Sequence, residues 1–114
     1  MPYINVKTTC TLDEATEIKL KSELGRAIEC IPGKNESWLM VCIEDARCIY
    51  FKGNNDAPTV YAEVKIFGKS TSDAYNKMTA ELCKIFDEIL GVSGERVFVR
   101  YEECSIWGWN SSNF

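Results

Sequence analysis

The N-terminal proline is the residue of this sequence best suited to chemistry. The chain begins Met1-Pro2 and runs directly into a predicted strand over residues 3–8. Methionine aminopeptidase removes an initial methionine when the next residue is small, so Pro2 would then carry a free secondary amine. An α-amino group has a pKa of about 7.7–8.0, and burial or a nearby cation lowers it by disfavouring the ammonium form. The amine is then a candidate nucleophile or general base.

The composition excludes the other common catalytic groupings. The sequence contains no histidine, which removes every Ser-His and Cys-His pair. None of its six cysteines forms a C-x-x-C motif, so neither a zinc site nor a thioredoxin-like redox site is predicted. We interpret the thiols as reduced and buried. The remaining chemistry requires no metal and no cofactor.

Charge and hydropathy restrict the partners. A net charge of −4 argues against nucleic acid or an anionic membrane as the main partner. No apolar run approaches the ~20 residues that a membrane span needs, and no signal-peptide pattern opens the chain. We therefore expect a cytoplasmic protein, and non-classical secretion stays open. A chain of 114 residues is predicted to form a single domain over 1–114.

A strand-helix-strand pattern occurs twice. The first copy predicts a strand over 3–8, a helix from about 14, and a strand over 38–43. Asp13 or Thr11 is predicted to cap this helix, and the segment 31–33 is predicted to end it. The predicted apolar stripe of the helix consists of Ile18, Leu24, Ala27, Ile28 and Ile31. A short strand over 48–51 precedes a polar loop over 52–58. The second copy predicts a strand over 61–67, a helix over 72–90 capped by Thr71 or Ser72 and ended by Gly91, and a strand over 97–101.

The two copies align as an internal repeat. A shift of 58 positions, the separation of Gly33 and Gly91, places Tyr3 on Tyr61 and many further residues on identical ones without gaps. We assign the repeat to about 1–51 and 59–103. Duplicated β-α-β units predict an α+β fold (an α/β sandwich) whose four-stranded mixed sheet carries both helices on one face.

Alternation along the strands leaves the other face of the sheet uncovered. Residues predicted to face the helices are Ile4, Val6, Leu39, Val41, Ile43, Ala62, Val64, Ile66, Val97 and Val99. The open face is predicted to carry Asn5, Lys7, Met40, Cys42, Glu63, Lys65, Phe98 and Arg100. That face is partly apolar and the chain has no further layer to cover it, which predicts an oligomer. The aromatic tail over 105–114 is expected to pack against the sheet or a neighbouring subunit.

Taken in order, these features resemble the macrophage migration inhibitory factor family of the tautomerase superfamily, over essentially the whole chain. The segments that carry the resemblance are Pro2 opening a strand, Gly33-Lys34, Phe51 to Pro58, Phe67-Gly68-Lys69, Glu95-Arg96-Val97, Gly108-Trp109-Asn110 and Phe114. The resemblance implies a homotrimer with active sites between subunits and an N-terminal proline as catalytic base. It also implies keto-enol tautomerisation of phenylpyruvate-type or dopachrome-type substrates. Some members of the family are cytokines.

The resemblance assigns roles to individual residues. Pro2 matches the catalytic base, and Lys34 matches the lysine that polarises the substrate oxygen and keeps the proline neutral. Substrate-pocket positions are matched by Trp38, by Phe67 with the backbone of Ile66 beside it, and by Trp109 and Phe114.

Two predicted substrate-binding positions depart from the family. Phe98 stands where its best-known members have a tyrosine, and Arg100 stands where they have an asparagine. Thr59 and Ala62 replace the cysteines of the C-x-x-C found in the mammalian factor, so a thiol-oxidoreductase activity is not expected. The replacements at Phe98 and Arg100 together remove a phenol and an amide from the predicted pocket and add a cation.

The residues favour an isomerase and leave alternatives open. Keto-enol tautomerisation needs a base whose pKa is near the working pH and a positive group at the developing enolate, which Pro2 and Lys34 supply. Arg100 offers a bidentate donor to the carboxylate of a small aromatic α-keto acid, or it pairs with Glu63 or Glu102 instead. One alternative is a cytokine-like protein with little or no catalysis, which would need a protein receptor outside the cell. Hydration of an unsaturated acid is another.

Overall fold

The computed structural model describes residues 1–114 and contains two β-α-β units followed by a small hairpin. The first unit is β1 (Pro2–Thr8), α1 (Glu14–Ala27) and β2 (Met40–Glu44), and the second is β3 (Val60–Phe67), α2 (Ser72–Leu90) and β4 (Val97–Cys104). The hairpin pairs β5 (Gly108–Trp109) with β6 (Ser112–Asn113). Short 3-10 helices occupy Ile28–Cys30, Glu36–Trp38 and Gly94–Arg96.

Local signals at the helix ends account for the helix boundaries. The Asp13 carboxylate accepts a hydrogen bond from the Thr16 backbone N–H at 2.8 Å, and the Thr71 hydroxyl accepts one from the Ala74 N–H at 3.1 Å. Each side chain satisfies a backbone donor that the first turn leaves free. Gly91 ends α2 in the left-handed conformation, with φ of 69°. The predicted bounds of α2 are confirmed.

The four long strands form one mixed sheet in the order β2-β1-β3-β4. The central pair, β1 and β3, is antiparallel, whereas β2 and β4 each run parallel to the strand of their own unit. Both helices cover one face, so the predicted α+β fold with duplicated β-α-β units is confirmed. Neither helix is both long and apolar enough to cross a membrane.

The core lies between the sheet and the two helices. The inward residues of the central strands are fully buried, among them Ile4, Val6, Ala62 and Val64, and the predicted inward residues of the outer strands pack against them. One prediction is wrong, because Ile18 is 54% exposed. The buried residues of α1 are Leu20, Leu24, Gly25 and Ala27. Ile18 lies at the edge of the core, where it lines an open cavity with Val41 and Ile43 of the edge strand β2.

The predicted short strand over 48–51 is also wrong. Only one isolated bridge forms there, between Phe51 and Asn54, because Lys52 and Gly53 take positive φ values and turn the chain sharply. Arg96 holds this turn by donating to the Asn54 side chain at 3.1 Å and placing its guanidinium over the Phe51 ring at 5.4 Å. β2 begins two residues later than predicted, because Trp38 belongs to a 3-10 helix.

We expect the protein to be a trimer in solution. The open face exposes large apolar side chains, since Met40 is 68% and Phe98 59% accessible to solvent, and nothing in the chain covers them. Burying such side chains contributes ~1.5–3 kcal/mol each, which can offset the cost of association. Light scattering at micromolar concentration should give three times the chain mass of 12.9 kDa. A monomer mass would contradict this prediction and the shared active site that depends on it.

Candidate active site

Pro2 lies at the start of β1, where the strand meets the end of β3. It is buried and stands opposite Ile66 in the antiparallel register. The Ile66 side chain is in the core, with 1% exposure, so only its backbone can contribute to a site beside Pro2. The next residue, Phe67, donates its backbone N–H to the Met1 carbonyl at 3.0 Å. The end of β3 therefore holds the N-terminus in place.

Lys34 reaches the same place from the segment that connects α1 to β2. Gly33 has φ of 83°, a conformation that glycine adopts without steric cost, and it turns the chain after the 3-10 helix Ile28–Cys30. The Lys34 ammonium then donates to the Phe67 carbonyl at 2.9 Å. Burial, and secondly the positive charge and hydrogen bonding of Lys34, lower the pKa of the N-terminal amine on Met1 below its ordinary value.

Four of the predicted pocket residues meet around Met1. Trp38, Phe67, Trp109 and Phe114 line a cavity of about 430 Å³ together with that residue. Trp38 and Trp109 make an edge-to-face contact with ring centroids 5.0 Å apart, and Phe67 and Phe114 are 5.5 Å apart. The β5–β6 hairpin brings the tail back over the sheet, with Asn110 and Ser111 at positive φ in its two-residue turn. The aromatic tail thus forms one wall of the site.

A second and larger cavity lies on the open-face side of Pro2. It measures about 550 Å³ and shares Met1, Trp38 and Trp109 with the aromatic cavity. Its other lining residues are Pro2, Tyr3, Ser37, Leu39, Met40, Lys65, Trp107 and Gly108. Several of these residues are not among the site residues predicted from the sequence, namely Tyr3, Ser37, Leu39, Met40, Lys65 and Trp107. Alternation placed Lys65 on the open face, but only the strand register shows that it stands beside Pro2.

Phe98 and Arg100 line neither of these cavities. Phe98 packs edge-to-face on Phe51, with ring centroids 5.0 Å apart. Arg100 contacts Glu63 at 3.4 Å and Glu102 at 3.3 Å, which is the pairing that the sequence left open as its alternative role. Within one chain, therefore, the structure does not bring these two residues to Pro2.

The arrangement can perform proton transfer next to a developing negative charge. It combines a buried strand end at Pro2, a lysine ammonium that lowers the pKa of the adjoining Met1 amine, and aromatic walls for an aryl group. No group of three or more Cys, Asp or Glu residues is placed to hold a metal ion.

Comparisons with known proteins identify the family and the fold. A scan against protein families matches residues 1–114 to Macrophage migration inhibitory factor (MIF). Among solved structures, MIF2 from Leishmania major is 27% identical, with a TM-score of 0.91 over 100% of this chain and 97% of that one. The homologue from Prochlorococcus marinus is 26% identical, with a TM-score of 0.80 over 98% of each chain.

More distant structures share the fold. The Toxoplasma gondii factor is 23% identical, with a TM-score of 0.90 over 98% of this chain and 99% of that one. A search among curated proteins found no match. The family match over the whole length is decisive, and the chain belongs to the macrophage migration inhibitory factor family of the tautomerase superfamily.

Proposed function

We propose that the protein is a keto-enol tautomerase of the phenylpyruvate or dopachrome type, with the Pro2 amine as its general base. The observation that carries the proposal is the placement of the buried Pro2 beside the aromatic cavity, where the Lys34 ammonium donates to the neighbouring Phe67 carbonyl at 2.9 Å. The amine of Met1, one residue earlier, has a lowered pKa because of burial and, secondly, Lys34. A base must be unprotonated to act near neutral pH, and burial with a neighbouring cation produces that state.

The reaction transfers one proton from carbon to oxygen and shifts two electron pairs. The Pro2 nitrogen takes a proton from the benzylic carbon of phenylpyruvate, the C–H electrons form the C=C bond, and the carbonyl electrons move to oxygen. Lys34 stabilises the negative oxygen, which then takes the proton from the Pro2 ammonium to give the enol and restore the free amine. The reverse direction returns the proton from the Pro2 ammonium to carbon. One Lys34 donor binds the Phe67 carbonyl, and an ammonium has two more to offer.

Removal of Met1 is part of the proposal. While Met1 is present, Pro2 is an amide with no basic lone pair. Met1 also lines both cavities, and its carbonyl occupies the Phe67 N–H. Its loss would join the two cavities, expose the Pro2 amine and free one backbone donor for a substrate oxygen.

The remaining predicted substrate residues divide into two groups. Trp38, Phe67, Trp109 and Phe114 would hold the aryl group, since they already surround one cavity. Phe98 and Arg100 lie elsewhere in the chain and would reach a site only from a neighbouring subunit of the proposed trimer.

Two measurements test the function. Protein whose N-terminus is Pro2, as verified by mass spectrometry, should accelerate ketonisation of enolic phenylpyruvate, and protein that retains Met1 should not.

A neighbour that is 18% identical to this chain is inactivated by 2-oxo-3-pentynoate. The same α-keto alkyne should add to the Pro2 nitrogen here, forming N–C and moving the amine proton to carbon. The mass should rise by one intact inhibitor on the N-terminal peptide, and an active enzyme modified elsewhere would contradict the assignment of Pro2.

A cytokine-like binding protein with little or no catalysis is the second candidate. The observation that favours it is the replacement of two family pocket residues by Phe98 and Arg100, with Arg100 engaged by Glu63 and Glu102. Pro2-terminated trimer without any phenylpyruvate turnover would support that candidate over the enzyme.

A further inference from the structure

The larger cavity beside Pro2 has one charged side chain in its wall. Of its eleven lining residues, Lys65 alone carries a charged side chain, and the others are apolar, aromatic or neutral polar groups. We propose that Lys65 binds the substrate carboxylate and makes the site selective for aryl 2-oxo acids over neutral carbonyl compounds. This assignment of the substrate class rests on the proposed tautomerase function.

The strand register places Lys65 next to the catalytic position. Lys65 pairs with Tyr3 and Ile66 pairs with Pro2, so Lys65 is one residue from the position opposite the base. Neighbouring side chains of a strand point to opposite faces. Ile66 therefore enters the core, whereas Lys65 lies on the open face and lines the cavity. Its ammonium is directed towards Glu102 of β4 and would turn from that carboxylate to meet a ligand in the cavity.

Lys65 is only loosely neutralised by its own chain. Its ammonium lies 3.9 Å from the Glu102 carboxylate, the longest ion pair in the structure. Glu102 is held more closely by Arg100, at 3.3 Å, and the Lys65 side chain is 34% exposed. A pair this long and this hydrated contributes little, so a substrate carboxylate can replace Glu102 at small cost.

The other two cations near the site have closer partners. Lys34 donates to the Phe67 carbonyl at 2.9 Å and lies by the amine, where the enolate oxygen forms. Arg100 contacts two carboxylates, those of Glu63 and Glu102, and lies outside the cavity. Within one chain, Lys65 is thus the cation left for the carboxylate, while Trp38 and Trp109, which line both cavities, lie beside the aryl group.

Binding of a non-reacting acid tests the inference without turnover. Calorimetry would compare 3-phenylpropanoate with its methyl ester on the Pro2-terminated protein. In Lys65→Met the acid should bind roughly 5- to 20-fold more weakly while the ester is unaffected, because a partly exposed charge-assisted contact is lost. Lys7→Met, on the same open face but outside the cavity, is the matched control and should bind both ligands normally. Equal losses for acid and ester, or none, would overturn the assignment.

Removing the competing carboxylate should act in the opposite direction. Glu102→Gln should tighten binding of the acid, because the ligand carboxylate no longer has to displace the Glu102 carboxylate from Lys65. The gain should vanish in Lys65→Met/Glu102→Gln. If the gain persists there and disappears only with Arg100→Met, the anchor is Arg100 and the proposal is wrong.

Kinetics separate this proposal from the function on which it rests. Lys65→Met should raise KM for phenylpyruvate by a similar factor with little change in kcat, since the carboxylate does not react. If Pro2 proves not to be the base, turnover disappears for another reason, but the binding difference between acid and ester still tests Lys65.

Discussion

Inserting an alanine between Met1 and Pro2 is expected to lower kcat/KM for phenylpyruvate by roughly 10²- to 10⁴-fold, the usual contribution of a positioned general base. In the inserted protein the Pro2 nitrogen becomes an amide even after Met1 is removed, so no basic lone pair remains at the start of β1. The residue added to the N-terminus would also occupy the space that Met1 fills between the two cavities.

The dependence of kcat/KM on pH is an independent test that the Pro2 amine is the base. Burial and, secondly, Lys34 lower the pKa of the Met1 amine, and we expect the same two causes to make the Pro2 amine lose its proton at a lower pH than an ordinary α-amino group. kcat/KM should therefore rise with pH through an acidic limb that lies below about 7.7–8.0 and then level off. The inserted protein should lose this limb together with its rate.

The controls concern processing and folding. Mass spectrometry must show the N-terminal residue of each sample, and thermal melting and light scattering must show an unchanged fold and assembly. Pro2→Gly keeps an N-terminal amine but lacks the ring, and it should be impaired less than the insertion. An inserted protein of verified mass that retains full activity would assign the base to another residue.

Replacing Lys34 with methionine is expected to cost roughly 10²- to 10³-fold in kcat/KM, the range measured when one donor to a developing oxyanion is removed. Methionine keeps most of the length and apolar surface of the side chain while removing the charge. The bond from the Lys34 ammonium to the Phe67 carbonyl would also be lost, so the fold must be checked by thermal melting.

Lys34→Met should also shift the pH profile. A neighbouring cation disfavours the protonated amine and lowers its pKa, so removing Lys34 should raise that pKa and move the acidic limb to higher pH. Burial is the larger cause for the Met1 amine, and Pro2 is itself buried, so we expect the pKa of the Pro2 amine to stay below its ordinary value in this variant. Lys34→Arg keeps the charge and should keep the limb in place. A large rate loss with an unmoved limb would restrict Lys34 to binding the substrate oxygen.

Local sequence signals predicted the elements with good accuracy wherever the cause of an element was itself local. Thr71 and Gly91 define α2 because a cap and a left-handed residue act within one turn of the helix. The predictions failed where a pattern had no local support. Hydropathy alone predicts Ile18 in the buried stripe, and it predicts a strand over 48–51 although Lys52 and Gly53 turn the chain back on itself.

The sequence by itself determined which groups can react. It supplied a proline at the first strand, a lysine after a glycine turn, aromatic residues in the tail, and no histidine or C-x-x-C that would offer another chemistry. These inferences depend on residue types and on spacings of a few positions, which can be read directly from a chain.

Only the tertiary structure decided how those groups meet. The antiparallel register of β1 and β3 sets Pro2 opposite Ile66 and brings Lys65 beside it, and the hairpin returns Trp109 to Trp38. Lys34 and the Phe67 carbonyl that it binds are 33 positions apart. A shift of one residue in strand pairing would reverse which side chains face the cavity. Such contacts depend on packing between distant segments, and no short-range pattern in the sequence specifies them.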